Sequence, residues 1–515
     1  VKPIRLISGI LTVGVWTMLS RVLGVAREIM ILALIGPGPV MDAFVAAFRL
    51  PNMFRRFFAE GAFNAAFVPM FSKKYEADEA PLLFARDALN GLVTVLLALT
   101  ALALIFMPAL VYVTAGGFAG DPRFDMTVAY GRVMFPYILL ISVSAMLSGA
   151  LNATGRFAAA AAAPILLNVL IIAAMAAASH FGGAAIVWLV WTVPLAGVAQ
   201  LALVWLAAER AGLHIRPGRP RLTPDMKRLV IVAVPAALAA GVMQVNLLVG
   251  QLVASHFEKA VGWLYAADRL YQLPLGVVGI AIGIVLLPEL SRRLKADDAA
   301  GGRAALSRAG ELSLALTVPC AVALMAIPVP IVSVLFQRGA TGPDDTAAIA
   351  LAVAIYGLGL PAFVLQKVLQ PIFFAREDTK SPFRYAVVAM IVNAALAVGL
   401  APAIGWIAPA IATTAAGWIM VAQLSIGGRR FGEVARFDAR FGGRMWRICV
   451  ASAIMGAALW LMQIWLGGLL ATPGLRYAAL AFLIAAGALV YAIAGQMTGA
   501  FSMAELRTTF ARRRG

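Results

Sequence analysis

Charge is scarce in this 515-residue chain: Asp, Glu, Lys and Arg make up 13% of it, where soluble domains carry about 25%. So few ionic groups cannot cover the water-facing surface of a soluble enzyme of this length. Apolar residues reach 62%, against roughly 45–50% in soluble domains. That content also excludes disorder, which requires low hydrophobicity. Cysteine is nearly absent, and Cys320 and Cys449 both lie in apolar runs, so there is neither a disulfide framework nor a metal-ligand spacing. The histidines His180, His214 and His256 are too scattered for a zinc site. Catalytic signatures are missing as well: no P-loop, no H-E-x-x-H, no Asp-rich metal motif, no G-x-S-x-G. Acids are the rarer charge, 24 against 42 Lys and Arg, for a net +18. In a soluble protein that excess would suggest nucleic acid. Here the placement of the cations relative to a bilayer explains it without one.

What is present is long apolar sequence. A bilayer-spanning helix needs about 20 mostly apolar residues, and fourteen such segments can be read, among them the first near 7–35, the second near 40–71, the eighth near 261–288 and the last two near 446–467 and 475–498. With the N-terminus inside, thirty cations fall in inner connections and termini and four, Arg123, Lys259, Arg338 and Arg476, fall outside. This asymmetry predicts an even number of spans with both termini cytoplasmic. The first segment is too long for the apolar core of a signal peptide and lacks a small-x-small cleavage site. The connections are too short to fold a soluble domain.

The chain also repeats itself. Pro69-Met70-Phe71-Ser72-Lys73-Lys74 and Pro288-Glu289-Leu290-Ser291-Arg292-Arg293 share the pattern P-x-x-S followed by two cations at an offset of 219. Arg49-Leu50 matches Arg269-Leu270, and Pro108 matches Pro328, both at 220, while Pro136, Thr154 and Asn168 match Pro361, Thr379 and Asn393 at 225. An offset of six spans preserves direction across the membrane, which makes the repeat parallel. The expected organisation is an all-α integral membrane protein: an N-terminal lobe over 1–222 (spans 1–6), a C-terminal lobe over 223–440 (spans 7–12), and 441–515 with two additional helices and a basic cytoplasmic tail.

Eight cations remain inside spans: Arg21, Arg27, Arg49, Arg55, Arg56, Arg132, Arg269 and Lys367, against the acids Glu28, Asp42, Glu60 and Asp268. Each charge at a helix centre costs about 2.5–3.5 kcal/mol to insert. Eight positives cannot be neutralised by four negatives, so several must face a wet cavity. At about 100° per residue, Ser20, Gly24 and Arg27 form one stripe of the first span, and Gly24 offers backbone freedom between Arg21 and Arg27. A local pair of Glu28 with Arg27 or Arg21 is the alternative reading there. In the second span Pro51 favours a kink before Asn52. Arg56 can pair with Glu60 four residues on, which leaves Arg55 the better ligand candidate. Arg269, beside Asp268, comes from the second lobe near the repeat equivalent of Arg49. Arginines from both lobes suit an anion rich in phosphate oxygens, because guanidinium forks match phosphate bidentately. Lys367 either lines the cavity or snorkels.

The run Ser20-Arg21-Val22-Leu23-Gly24-Val25-Ala26-Arg27-Glu28, then Asp42-Ala43-Phe44, then Arg49-Leu50-Pro51-Asn52 through Arg55-Arg56-Phe57-Phe58-Ala59-Glu60-Gly61-Ala62-Phe63 resembles the MurJ (MviN) lipid II flippases. So do Ala267-Asp268-Arg269-Leu270 and Phe135-Pro136-Tyr137-Ile138-Leu139-Leu140-Ile141. These belong to the multidrug/oligosaccharidyl-lipid/polysaccharide exporter superfamily. The resemblance implies a two-lobed, fourteen-helix transporter of the bacterial cytoplasmic membrane, not an enzyme. Its substrate would be lipid II, the undecaprenyl-diphosphate-linked disaccharide-pentapeptide, carried to the outer leaflet for peptidoglycan synthesis. It implies Arg21, Arg27, Arg55 and Arg269 as substrate-binding residues and puts Asp42 and Glu60 at acidic positions of the family; these two, with Ser20, Gly24, Asn52, Arg56 and Asp268 read above, are the expected supporting or gating residues. Spans 13 and 14 would form a groove for the polyprenyl tail, with Trp460, Leu461, Ile464, Leu480, Leu483 and Ile484 on their faces. No cofactor is implied; transport would be coupled to the membrane potential or an ion gradient, with the ion and any metal site unassigned. Expected partners are lipid II, membrane lipids and proteins of cell-wall synthesis or division, and no nucleic acid. The rivals are a related polyprenyl-diphosphate-linked polysaccharide flippase, which matches these motifs less well, and a drug/cation antiporter, which would want an acidic cavity.

Overall fold

The structure, a computed structural model, describes residues 6–56, 62–296 and 298–500. Glu60 lies outside these residues, as do the terminal cations Lys2, Arg5, Arg507, Arg512, Arg513 and Arg514. Among the described residues the regular structure is entirely helical, with no β-strand. A chain this apolar, placed in lipid, must satisfy each backbone polar group internally, and a helix does so within one segment.

By its internal contacts the chain divides into two compact units, Val1–Gly262 and Trp263–Gly515. The first contains α1 (Leu6–Leu34), α2 (Pro39–Arg55), α3 (Ala62–Glu76), α4 (Pro81–Ile105), α5 (Met107–Thr114), α6 (Pro122–Met134), α7 (Tyr137–Ala153), α8 (Ala158–Phe181), α9 (Ala185–Arg210) and α10 (Pro224–Ala254). Within it α1 packs along α8, α2 along α6, and α10 along α3. A ladder of rings, Phe63, Phe67, Phe71 and Tyr75, stacks at i,i+4 along α3, with Phe84 of α4 joining Phe67 at 5.6 Å. The second unit contains α11 (Ala260–Lys295), which begins just before the boundary, then α12 (Ala299–Ala326), α13 (Pro328–Phe336), α14 (Pro343–Phe374), α15 (Lys380–Ile404), α16 (Ala408–Gly428), α17 (Ala439–Trp465), α18 (Gly467–Ala471) and α19 (Leu475–Met497).

Several helices open on proline, at Pro39, Pro81, Pro122, Pro224 and Pro343. The first turn has no intrahelical acceptor for that N–H, so losing it costs nothing there. Pro108 and Pro328 start short helices, α5 and α13, directly after long ones, α4 and α12. The same succession thus recurs 220 residues apart. The recurrence is not complete: the first unit breaks between Met134 and Tyr137, at Pro136, whereas α14 runs unbroken through Pro361.

Each of the fourteen segments read from the sequence falls on one helix or on two consecutive ones. Among the described residues nine stretches are long and apolar enough to cross a membrane, one of which, Lys380–Ala435, joins α15 and α16.

In the second unit α17 packs on α12 and α19 on α17. An ion cluster at the start of α17 ties the first of these contacts. Arg308 pairs with Glu311 and Asp438, and Arg444 reaches Glu311 at 3.3 Å. Asp438 also caps α17, accepting from the Phe441 amide at 2.7 Å. Burial pushes its carboxyl up, but the Phe441 amide and Arg308 outweigh burial and hold it below the usual carboxylate range.

Candidate functional site

The Ser20, Gly24, Arg27 stripe faces α8. There Arg27 Nη1 donates to Asn168 Oδ1 at 2.9 Å, and Asn168 Nδ2 donates to the Ser20 carbonyl at 2.9 Å. Gly24 lies between these contacts; a Cβ there would stand 3.9 Å from Asn168 Nδ2. The helix is continuous through Gly24. Arg27 is 8% exposed and Glu28 fully buried, and their charged groups stand 3.6 Å apart. The two readings of Arg27, local pair or cavity cation, are therefore not exclusive. Glu28 balances its charge, Asn168 fixes its direction, and Arg27 Nε is buried without a protein acceptor. An unmet buried donor of this kind is costly.

In α2, Pro51 cannot donate a backbone hydrogen bond to the carbonyl four residues back, and one residue on the Asn52 side chain donates to the Phe48 carbonyl at 2.9 Å. Arg55 is partly buried on this helix and Arg56 is exposed. Arg132 is exposed and donates from Nε to the Leu104 carbonyl at 3.3 Å, and Lys367 is exposed on α14. In the second unit the Arg269 guanidinium lies 4.5 Å from the centroid of the Tyr265 ring. Neighbouring Asp268 accepts from Gln272, and Tyr271 packs against Tyr356 and Phe363. Among the described residues, no group of three His, Cys, Asp or Glu is placed to hold a metal ion.

Asp42 stands apart from the Arg27 cluster in a latch of its own. It is fully buried in the first turn of α2. Its Oδ2 lies 3.4 Å from Arg123 Nη1 and its Oδ1 accepts from the Gly262 amide at 2.8 Å. Arg123 also reaches Asp121 at 3.1 Å and the Phe257 carbonyl at 3.4 Å, and covers the Phe118 ring. The hydrogen bond from Arg123 holds the Asp121 carboxyl below its ordinary range. Counting charges by side gave Arg123 only as an outside cation. The fold shows it to be the hub that joins the connection after α5 to the connection after α10.

Gly117 lies where those two connections meet. Its amide donates to Ser255 Oγ at 3.0 Å, and an added Cβ would fall 2.5 Å from the backbone of Ser255 and His256. Gly117→Ala is accordingly expected to lower stability by about 1–3 kcal/mol, the usual cost of overpacking. The thermal midpoint in detergent should fall, while Gly443→Ala, inside α17 with open space around it, should not lower the midpoint.

On α17 an apolar groove of about 610 Å³ runs along Phe441, Met445, Trp446, Cys449, Val450 and Ala453. Trp460, Leu461, Ile464 and Ile484 are exposed, as a lipid-facing surface requires. Leu480 and Leu483 are not: both are buried, and Leu483 packs with Ile327, Met455 and Leu459. Of the six groove candidates these two therefore lie on the side of α19 that packs against α17.

Sequence and fold comparisons agree. The family described as "Lipid II flippase MurJ" matches residues 31–481. A "Probable lipid II flippase MurJ" of Rhizobium tropici is 44% identical over 99% of this chain and 97% of its own length. A second, from Rhizobium meliloti (strain 1021), is 44% identical over 97% of this chain and 95% of its own. The solved structure of a lipid II flippase MurJ in an inward closed conformation superposes with TM-score 0.80 at 23% identity, covering 94% of this chain and 98% of that one. An inward-facing multidrug resistance MATE transporter of the MOP superfamily shares the fold more distantly, with TM-score 0.68 at 15% identity over 80% of this chain and 94% of its own. With a family match over most of its length and relatives aligned nearly end to end, this chain belongs to the MurJ family of lipid II flippases.

Proposed function

We propose that this protein moves lipid II from the inner to the outer leaflet of the bacterial cytoplasmic membrane, with its headgroup held by arginines and its two lobes alternating in access. The observation that carries the headgroup role is Arg27: buried, charge-balanced by Glu28, aimed by Asn168, and left with an unused Nε donor. Arg21 and Arg55 from the first lobe and Arg269 from the second act with it on the diphosphate. Their forks bind phosphate oxygens bidentately where lysine offers only a point charge. The lobes are those of the sequence repeat, 1–222 and 223–440, in a fourteen-span chain with both termini cytoplasmic, an orientation supported by thirty inner against four outer cations. The energy source is the membrane potential or an ion gradient. Cells depleted of their own lipid II flippase and supplied with this chain should regain growth and shape; failure at normal membrane levels would count against the reading.

The polyprenyl tail stays in hydrocarbon, since each exposed CH₂ costs about 0.8 kcal/mol. The apolar face of α17 supports a path for it. A charge there, Cys449→Arg or Ala453→Glu, is expected to reduce transfer of the full-length lipid by about tenfold or more. Transfer of a short-tailed analogue should persist, and an equal loss for both lipids would remove α17 from the tail path.

A further inference from the structure

Of the four cations on the outer side, two stand together. Arg338 follows α13 and its Nη2 donates to the Val334 and Leu335 carbonyls at 2.6 and 2.7 Å. Arg476 lies in the first turn of α19; its Nη1 donates to the Gln337 carbonyl at 3.1 Å and its Nη2 to Tyr477 Oη at 3.3 Å. Both guanidinium groups converge on the Tyr477 ring, at 5.6 and 5.2 Å from its centroid. Among the described residues no carboxylate lies within 4.0 Å of either, and the Nε of each is buried without an acceptor.

This arrangement runs against ordinary structural economy. Burial lowers the Arg338 pKa, and the like charge of Arg476 adds to that while Tyr477 opposes it. Arg476 also places a cation at the N-terminal end of a 23-residue helix, the end that is already positive. Arg338 is anchored by the carbonyls at the end of α13, so neither group is free to swing apart. The carbonyls that end α13 offset Arg338 in part, but three sources of positive potential are fixed at one place with no carboxylate among the described residues to balance them. The surroundings are those of a membrane interface: α17 ends nearby in the chain on Trp465, 89% exposed, and Leu469, Leu475 and Tyr477 are exposed as well. Aromatic rings of this kind sit at headgroup depth.

We propose that Arg338, Arg476 and Tyr477 form a binding site for the phosphate of a membrane lipid at the outer face of the second unit. The site rests on the orientation given under Proposed function and is separate in the sequence from the arginines assigned to the headgroup. Its chemistry fits two sources: a resident phospholipid, or the diphosphate of the exported lipid on leaving the protein. The two guanidinium groups supply charge-assisted N–H donors to phosphate oxygens.

The test uses the full chain purified in dodecyl maltoside. Binding of phosphatidylglycerol and of undecaprenyl diphosphate is measured by native mass spectrometry for wild type, Arg338→Gln/Arg476→Gln and Arg338→Lys/Arg476→Lys. Arg27→Lys is measured in parallel, to separate phosphate held by the headgroup arginines. The glutamine pair should weaken binding by about tenfold or more, and the lysine pair, which keeps charge without the fork, by less. Loss for undecaprenyl diphosphate alone assigns the site to the exported lipid, loss for phosphatidylglycerol alone to a resident lipid, and loss for both to lipid phosphate in general. Unchanged binding of both lipids overturns the proposal. If the glutamine pair is unstable, the single variant Arg338→Gln and the lysine pair carry the comparison, and unchanged affinity in both is equally decisive. Transfer of lipid II failing while this binding persists would sink the flippase reading and leave the site standing; the reverse would leave the flippase reading intact.

Discussion

Arg27→Ala is expected to abolish rescue of flippase-depleted cells. Two losses combine in that variant. The headgroup loses a guanidinium already aimed by Asn168, and Glu28 is left buried without the cation beside it. Removing one partner of a buried pair typically costs about 3–5 kcal/mol, so the alanine variant alone cannot separate binding from folding. Arg27→Lys can. It keeps a positive charge near Glu28 but has no fork, so membrane levels and thermal midpoint should approach wild type while rescue is partial. Arg21→Ala, Arg55→Ala and Arg269→Ala should also lose rescue with insertion intact, and growth of all four alanine variants at normal levels would dismiss the assigned headgroup site. Asn168→Leu should resemble Arg27→Lys, since it leaves the charge and removes its aim.

The second large effect is at the Asp42 latch. Asp42→Ala removes the acceptor for the Gly262 amide and the fully buried carboxylate paired with Arg123. Asp121 retains a contact with Arg123 from a more exposed position. The expected loss of stability is about 3–5 kcal/mol, read as a lower thermal midpoint. Asp42→Asn should lose less, because its side-chain oxygen still accepts from Gly262. Arg123→Leu in the Asp42→Ala background should recover part of the loss, since the uncompensated buried charge is then gone. A double variant as unstable as the sum of the singles would mean that the two residues act independently.

The stripe Ser20, Gly24, Arg27 was legible because helical periodicity places residues four and seven apart on one face. Its partner was not: Asn168 lies 141 residues from Arg27 in an apolar run. The one signal available was that Asn168 and Asn393 are repeat-related, and both prove buried, with Asn393 Oδ1 accepting from Thr413. A polar residue preserved in both halves of an apolar repeat marks a structural bond, because a lone amide in lipid is costly. The buried side of α19 was illegible for a different reason. A helix in water has a polar outer face, and its pattern reveals which side packs. A helix facing lipid is apolar all round, so Leu480 and Leu483, buried, read the same as Ile484, exposed. Proline gave mixed guidance. Pro108 and Pro328 mark equivalent helix starts, but Pro136 accompanies a break and Pro361 does not. Packing around each proline decides whether the freed carbonyl bends the helix or is accommodated.

The most direct measurement is the leaflet accessibility of lipid II in intact cells depleted of their native flippase. A membrane-impermeant enzyme that acts only on lipid II exposed in the outer leaflet reads the transfer. Cells carrying this chain should expose lipid II, and cells carrying Arg27→Lys at the same membrane level should expose less. Lipid II confined to the inner leaflet in cells with a stably inserted wild-type chain would contradict the proposed transport.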